Sequence, residues 1–327
     1  MRAVITGTGH FAPEKRLTNK DLEQIVDTSD EWITTRTGIK ERRILDKDKG
    51  TSYMAARAAE MVLRQKNLSA DEVDLIIVAT VTPDMTVPTT AALVQKELSA
   101  NNCWGFDLNG ACSGFVCALA AGAQFIESGR HQKVLVIGAD KMSAIIDYQD
   151  RNTCVLFGDG AGAVLLEPSK DKDSGITDYE LHLDGSGSAY LHIAAGGSLR
   201  PASHETVENR MHFLYQDGKT VFKHAVIGMA DVSKNLLTKN GLEGDQIKLL
   251  IPHQANFRII DSVAQKLNLK PEQVYLNIEN YGNTTAATIP LAMSEANQKN
   301  QLQKGDWVLL SAFGAGFTWG SILLKWA

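Results

Sequence analysis

KNLSADEVDLIIV, residues Lys66–Val78, comes back in altered form as KNGLEGDQIKLLI, residues Lys239–Ile251. In both stretches a polar segment runs into a short apolar run of strand type. Asp71 and Asp245 stand 174 residues apart, and the same offset separates Val134-Leu135-Val136 from Val308-Leu309-Leu310. Each half then closes with a glycine loop and a strand, FGDGAGAVLLE from Phe157 and FGAGFTWGSILLK from Phe313, now offset by 156. The shorter offset places extra residues in the first half, for which Ile145–Thr153 is the natural position. A repeat of this length predicts two similar halves, residues 1–170 and 171–327, joined by the polar stretch Ser169–Asp178.

Strand-like runs at Leu75–Ala79, Val134–Gly138, Ala163–Leu166, Leu249–Ile251, Val308–Ala312 and Ser321–Leu324 alternate with helical patterns such as Thr51–Leu63 and Arg258–Leu267. That alternation indicates an α/β protein with largely buried strands. From Ser113 to Ile126 there is no charged residue, and Ala286–Met293, at the equivalent place, is equally uncharged. A helix that is apolar all round must be enclosed by protein. The expected fold is therefore a five-layered α-β-α-β-α sandwich, with the two equivalent helices packed between two sheets.

The 327 residues, 44% of them hydrophobic, suffice for a large core and exclude a disordered or fibrous chain. The absence of an apolar run of membrane-spanning length, and of a leader pattern, leads to the expectation of a cytoplasmic protein. The formal charge of -5 argues against general nucleic-acid binding. The four cysteines at 103, 112, 117 and 154 form no C-x-x-C pair and have no histidines at zinc-ligand spacing. Neither a metal site nor a disulfide framework is expected, and one free thiol is a candidate for reactivity.

That thiol is Cys112. It follows the strand-like Cys103–Leu108 and the turn Asn109-Gly110-Ala111, at the start of the first uncharged helix. Free N–H groups and the dipole at such a helix start favour a thiolate, which predicts a lowered pKa and a nucleophile at neutral pH. His253 follows the strand Leu249–Ile251, where α/β proteins place their ligands. Asn283 precedes the second uncharged helix and is the counterpart of Asn109, which puts it near the two-fold mate of Cys112. Cysteine, histidine and asparagine brought together from separate strand ends form a nucleophile arrangement. The loop Phe313-Gly-Ala-Gly-Phe offers backbone N–H groups that could join that of Cys112 in an oxyanion hole.

A dinucleotide-binding reading of Gly7-Thr-Gly-His-Phe-Ala fails on its own requirement. That fingerprint needs a helix to begin on the glycine turn. Here Pro13 follows directly, and the helix signal starts only at Thr18-Asn19-Lys20-Asp21.

Seven ordered motifs span the chain: TSDEWI from Thr28, RTGI from Arg36, ACSGF from Ala111, FGDGAG from Phe157, HQAN from His253, GNT from Gly282 and GFTWG from Gly316. With these the chain resembles the thiolase-fold condensing enzymes, and most closely the β-ketoacyl-acyl-carrier-protein synthase III family of type II fatty-acid synthesis. The resemblance implies that Cys112 is acylated by an acyl-CoA primer. His253 and Asn283 would then polarise malonyl-acyl-carrier protein for decarboxylative condensation. The Cys-His-Asn set distinguishes this branch from the Cys-His-His, Cys-His-Cys and Cys-His-Glu branches of the fold. It implies an acyltransferase with no cofactor, acyl-CoA and acyl carrier protein as its partners, and a homodimer. The alternative is a related condensing enzyme of secondary metabolism that passes the acyl group to another acceptor.

Position by position, the resemblance assigns the oxyanion hole to the N–H groups of Cys112 and Ala315. It assigns coenzyme A to Thr28, Trp32, Arg36, Arg151 and Asn256, with Trp32 and Arg151 sandwiching the adenine. Gln254, Ala255, Asn256, Phe257 and Arg258, with Lys266 further along the same helix, fall to the carrier protein. Val87 of a partner subunit, Met142 and Phe157 line the acyl pocket. Acetyl-selective members can have Phe at position 87, so Val87 suggests primers longer or more branched than acetyl. The residues leave open the primer itself, the carrier of the malonyl group, the acceptor of the thiol proton and the role of residues 186–223.

Overall fold

The structure, a computed structural model, describes residues 1–171 and 173–327; Lys172, within the expected linker, lies outside the described residues. The first sheet comprises β1 (Arg2–Phe11), β2 (Leu75–Ala79), β3 (Trp104–Leu108), β4 (Val134–Lys141) and β5 (Asp159–Ser169), in the order β1-β5-β4-β2-β3. β2 runs parallel to β3 and β4, while β5 is antiparallel to β1 and β4. The second sheet comprises β6 (Gly175–Leu183), β7 (Ile247–Pro252), β8 (Trp307–Gly314) and β9 (Thr318–Lys325), in the order β7-β8-β9-β6. It repeats the first without the fifth strand, whose counterpart is reduced to a single bridge between Leu250 and Val274.

Along β4 the side chains alternate between two cores. Val134 and Val136 face the centre of the molecule, whereas Leu135, Ile137 and Ala139 join the outer cluster beneath α1 (Thr51–Lys66) and α2 (Thr90–Leu98). This period of two, with both faces apolar, is why the strand reads as an uninterrupted hydrophobic run. β8 alternates in the same way, sending Val308, Leu310 and Ala312 to the centre. Leu309 and Phe313 turn to an outer cluster shared with α4 (Gly218–Lys239) and α5 (Phe257–Lys266). The central layer holds α3 (Gly114–Glu127) and α6 (Thr288–Gln298), whose buried residues share one cluster with both sheets. The five layers are those expected.

Several boundaries differ from the sequence reading. Strands β4, β5, β8 and β9 extend beyond the apolar runs because ladder pairing continues through flanking polar residues such as Asp140, Asp159 and Thr318. The linker is shorter than Ser169–Asp178, since Gly175 already pairs with Lys325. All but the last residue of the glycine fingerprint, Gly7–Phe11, lies inside β1 and pairs with β5, so no helix starts there.

Two glycines set the thickness of the central layer. Gly138 and Gly162 are direct partners across β4 and β5, and together they form a bare patch of backbone. The chain entering α6 rests on that patch. A Cβ on Gly138 would run into the Ala286 carbonyl, and one on Gly162 into the Leu291 amide. Both obstacles are backbone and cannot swing away. Gly138→Ala is therefore expected to lower stability by about 3 kcal/mol, the range of core overpacking. Chemical denaturation of the variant would show it as a reduced midpoint with an unchanged slope.

Candidate functional site

The strand β3 ends at Leu108, and the chain turns sharply through Asn109 and Gly110 into a single 3-10 turn, Ala111–Ser113, before α3. Ala111 sits at φ 48° and its counterpart Thr285, in the turn Thr285–Ala287 before α6, at φ 54°. These two non-glycine residues occupy the sparsely populated left-handed region, and their separation equals the repeat of 174. Strain repeated at one structural position in both halves marks a sharp elbow that sets the next residue at the entry to its buried helix. In the first half that residue is Cys112, and in the second it is Ala286.

The two asparagines that precede the elbows act alike. Asn109 Oδ1 accepts from the Ala111 amide at 3.4 Å, and Asn283 Oδ1 accepts from the Thr285 amide at 2.9 Å. With its oxygen so engaged, the Asn283 carboxamide is left with its NH2 as the free group. Its backbone is zipped to the loop before β5, with the Asn283 amide donating to Leu156 at 2.8 Å and the Gly158 amide to Asn283 at 3.1 Å.

His253 leaves β7 with its amide donating to the Ser311 carbonyl at 2.8 Å, and its side chain is buried. Thr288 Oγ1 donates to the Thr285 carbonyl at 3.1 Å. That hydroxyl hydrogen being in use, His253 Nδ1–H donates to Thr288 Oγ1 at 2.7 Å, which assigns Nε2 as an acceptor. Burial pulls the imidazole down to about 3, so the ring is neutral.

Cys112, His253 and Asn283 line one cavity of about 390 Å³, together with Phe157, Phe313 and the mouth residues Trp32, Arg36 and Asn256. A second cavity of about 510 Å³ opens on the other side of Cys112, lined by Met142, Phe157, Leu191, Leu214 and Ala315 among others. Cys112 thus stands where two chambers meet, one polar at its mouth and one mostly apolar.

The expected thiolate is not what this environment favours. Although Cys112 keeps some exposure to the cavities, protein surrounds it, and desolvation pushes the thiol up to about 12. The nearby Asp140 carboxylate adds to that rise, and the residue's own amide opposes it only weakly. Burial is the largest cause, and it favours the neutral thiol. Cys112 is a neutral thiol in a cavity that it shares with a neutral imidazole.

Gly314 shapes the other requirement of the site. A Cβ there would stand 2.7 Å from the Cys112 amide nitrogen, so the missing side chain keeps that N–H approachable. The closing loop is stapled to the elbow by Ser113 Oγ, which donates to the Thr318 carbonyl at 2.9 Å. Thr318 Oγ1 in turn bridges the Gly110 and Ala315 carbonyls at 3.2 and 3.1 Å. The Ala315 backbone is thereby held in the second chamber beside Cys112.

The remaining expected residues divide. Arg151 lies directly over the Trp32 ring at 4.9 Å and pairs with Asp27 at 3.5 Å. That separation leaves no room for an aromatic base between them. Neither Arg151 nor Thr28 lines the cavity, and the Thr28 hydroxyl is buried without a partner. Gln254 is a correction. It is buried, and its carboxamide binds the Pro252 and Tyr275 carbonyls at 2.9 and 3.1 Å, so it braces the loop and cannot face a partner protein. Phe257, Arg258 and Lys266 are exposed, while Ala255 and Asn256 are half-buried and line the cavity. Val87 is 80% exposed and lies outside both cavities.

Residues not anticipated from sequence include Lys219 and Phe222, which line the mouth from the first turn of α4. The signal was available in Asp217, the N-cap that accepts from Thr220 at 3.1 Å and fixes where α4 begins. The formerly unassigned 186–223 segment supplies walls to both chambers, through Leu191, Leu214 and Gln216. Among the described residues no group of three metal-ligating side chains occurs, and no helix is long and apolar enough to cross a membrane.

Comparison with known proteins gives consistent results. Residues 106–185 match the family model for 3-oxoacyl-[acyl-carrier-protein] synthase III, and residues 237–326 match the model for its C-terminal part. A β-ketoacyl-[acyl-carrier-protein] synthase III of Chlorobaculum tepidum is 55% identical, covering all of both chains. One from Koribacter versatilis is 52% identical over all of this chain and 98% of its own. Among solved structures, 3-oxoacyl-[acyl-carrier-protein] synthase III of Aquifex aeolicus superposes with a TM-score of 0.91 at 48% identity, covering 99% of this chain and 100% of that one. The priming β-ketosynthase of the R1128 polyketide pathway also gives 0.91, at 33% identity, over 99% and 96%.

A thiol held near 12 makes a specific kinetic prediction, because only the thiolate is alkylated. Iodoacetamide should modify Cys112 slowly at neutral pH, with a rate that climbs about tenfold per pH unit and reaches no plateau below pH 10. Peptide mass spectrometry, which separates Cys112 from the other thiols, checks this. A plateau below pH 8 would mean that the thiolate is already favoured.

Proposed function

The chain belongs to the 3-oxoacyl-[acyl-carrier-protein] synthase III family, and from that membership we propose that it condenses an acyl-CoA primer with malonyl-acyl-carrier protein, starting type II fatty-acid synthesis. The enzyme is an acyltransferase of the condensing, thiolase-fold type. The observation that carries the reading is the convergence of Cys112, His253 and Asn283, from three separate parts of the chain, on one cavity.

The neutral resting state suggests how a single proton serves both half-reactions. As Cys112 sulfur attacks the acyl-CoA carbonyl, its proton passes to the lone pair on His253 Nε2. The Cys112 and Ala315 N–H groups receive the oxyanion. The C–S bond to coenzyme A then breaks, and the departing thiolate takes a proton from solvent. Malonyl-carrier protein enters next and its carboxylate leaves as carbon dioxide. The enolate oxygen is held by the Asn283 NH2 and by the N–H now on His253. No base is needed, since loss of carbon dioxide creates the carbanion. The carbanion forms the new C–C bond to the acyl carbon, the bond to Cys112 breaks, and His253 returns its proton to the sulfur. An imidazolium is costly in so buried a place. It forms together with the oxyanion of the first half-reaction and is held until the malonyl carboxylate enters beside it.

The mouth residues fit the long polar arm of coenzyme A or of the carrier's prosthetic group. Trp32, Arg36, Asn256 and Arg258 lie there with Lys219. Adenine would have to part Arg151 from Trp32, exchanging a cation–π contact for two stacking contacts. Ala255, Asn256, Phe257 and Arg258, with the exposed Lys266, offer a surface for an acidic carrier. The apolar chamber with Met142 and Phe157 would hold the acyl chain. Exposed Val87 and the edge strand β3, where Trp104 is 50% exposed, support a homodimer in which Val87 closes the partner's chamber. The protein would work in the cytoplasm as two halves, residues 1–170 and 171–327, with no bound cofactor. The likeness to a polyketide priming ketosynthase keeps a second acceptor in view.

Incubation with acetyl-, isobutyryl- or hexanoyl-CoA should add the acyl mass to the protein and none to Cys112→Ala. Carbon dioxide release with malonyl-carrier protein should fall by about a hundredfold or more in Asn283→Ala. With Val in place of a ring at position 87, the isobutyryl and hexanoyl primers should be used at least as well as acetyl. Strict acetyl preference would defeat the pocket reading, and acylation without carbon dioxide release would favour the other acceptor.

A further inference from the structure

Asp140, at the end of β4, is completely buried and has no lysine or arginine partner among the described residues. Five donors surround it instead. Its Oδ1 accepts from Thr80 Oγ1 at 3.0 Å, the Val81 amide at 2.8 Å, and the Thr82 amide and hydroxyl at 3.2 and 2.9 Å. Its Oδ2 accepts from the Ala286 amide at 3.1 Å, across the boundary between the two halves. Since every neighbour donates, only a group that purely accepts can satisfy the cage. The carboxyl is pushed up to about 6 by burial and so stays ionised at neutral pH.

The internal repeat shows what this arrangement corresponds to. Ala286 is the counterpart of Cys112 and Gly314 that of Asp140, each pair being separated by 174 residues. At Gly314 the missing side chain leaves the Cys112 amide open. At Asp140 the side chain fills the same space and sets an anionic oxygen on the Ala286 amide. We infer that Asp140 is a positioning residue whose carboxylate occupies the anion hole of the second, non-catalytic elbow, fixing Ala286 and, through the adjoining turn, the Asn283 carboxamide.

The mechanical link is short. Asn283 Oδ1 accepts from Thr285, the residue immediately before Ala286, so the elbow and the carboxamide move together. The other carboxylate oxygen anchors Val81, which lines the chamber on the far side of Cys112. Asp140 therefore tensions one wall of the apolar chamber against the turn that carries Asn283. The inference rests on the reading of Asn283 as a donor to the malonyl thioester.

Asp140→Asn tests it. With its oxygen kept by the donors around Val81 and Thr82, the new amide would turn an NH2 toward the Ala286 N–H and push the elbow away. Acylation of Cys112 by acyl-CoA, followed by intact mass, should not fall, since removing the Asp140 charge eases ionisation of the thiol. Carbon dioxide release from malonyl-carrier protein by the acylated enzyme should fall at least tenfold in kcat, with KM little changed. Equal losses in both half-reactions, or none in either, would overturn the assignment. Should this variant not accumulate as folded protein, Asp140→Gly empties the hole. Formate should then restore carbon dioxide release while chloride does not, and failure of formate to do so counts against the proposal. Asn283→Ala is run alongside. If it releases carbon dioxide at the parent rate, the reading of Asn283 is wrong, and a selective loss in Asp140→Asn would then trace to the Ala286 elbow alone.

Discussion

Two sharp turns, each followed by a buried helix, meet back to back between two sheets, and their closeness is the constraint on which the rest of the molecule depends. Backbone can approach backbone there only because side chains are missing. Gly138 and Gly162 let the second elbow and α6 rest on β4 and β5, and Gly314 lets the first elbow approach β8. The apolar surface of α3 and α6 supplies the driving force, and the glycines set the distance at which it acts. Once that distance is set, Cys112, His253 and Asn283 are carried to one cavity by parts of the chain far apart in sequence.

The same scaffold is used twice but only once for chemistry. Both elbows carry a residue in the left-handed region and an asparagine that caps the turn. Of the positions at which they diverge, two set the environment of the elbow amide: cysteine against alanine, and glycine against aspartate. In one half a glycine leaves the elbow amide uncovered, and in the other a fixed carboxylate satisfies it. A buried amide without a partner is costly, so the unused elbow needs such an acceptor.

Burial also sets the electrostatics. A thiol near 12 and an imidazole near 3 are both neutral, which is the cheapest state for groups removed from water. Helix-dipole reasoning, applied to Cys112 in isolation, points the other way because it omits the desolvation that only the enclosing protein imposes. A neutral pair can still pass a proton between its members when a carbonyl arrives to accept the sulfur's electrons. In the proposed mechanism that charge falls to the N–H groups of Cys112, Ala315 and Asn283.

Much was legible along the chain. The repeat of 174, the uncharged helices and the strand runs determined the five layers, because burial on both faces of a strand and around a helix leaves a composition that survives without any knowledge of partners. The positions of Cys112 and His253 just beyond strand ends were legible for the same reason, since turn residues and apolar runs locate those ends, whereas Asn283 follows the short helix Ile278–Tyr281 and not a strand. Tertiary structure alone decided the protonation states, the burial of Gln254, the direct contact of Arg151 with Trp32, the walls supplied by Leu191, Leu214 and Lys219, and the service of Asp140 to an amide in the opposite half. Each of these depends on which atoms from distant segments come to lie within a few ångströms and how much water they displace, and no local pattern of residues carries that information.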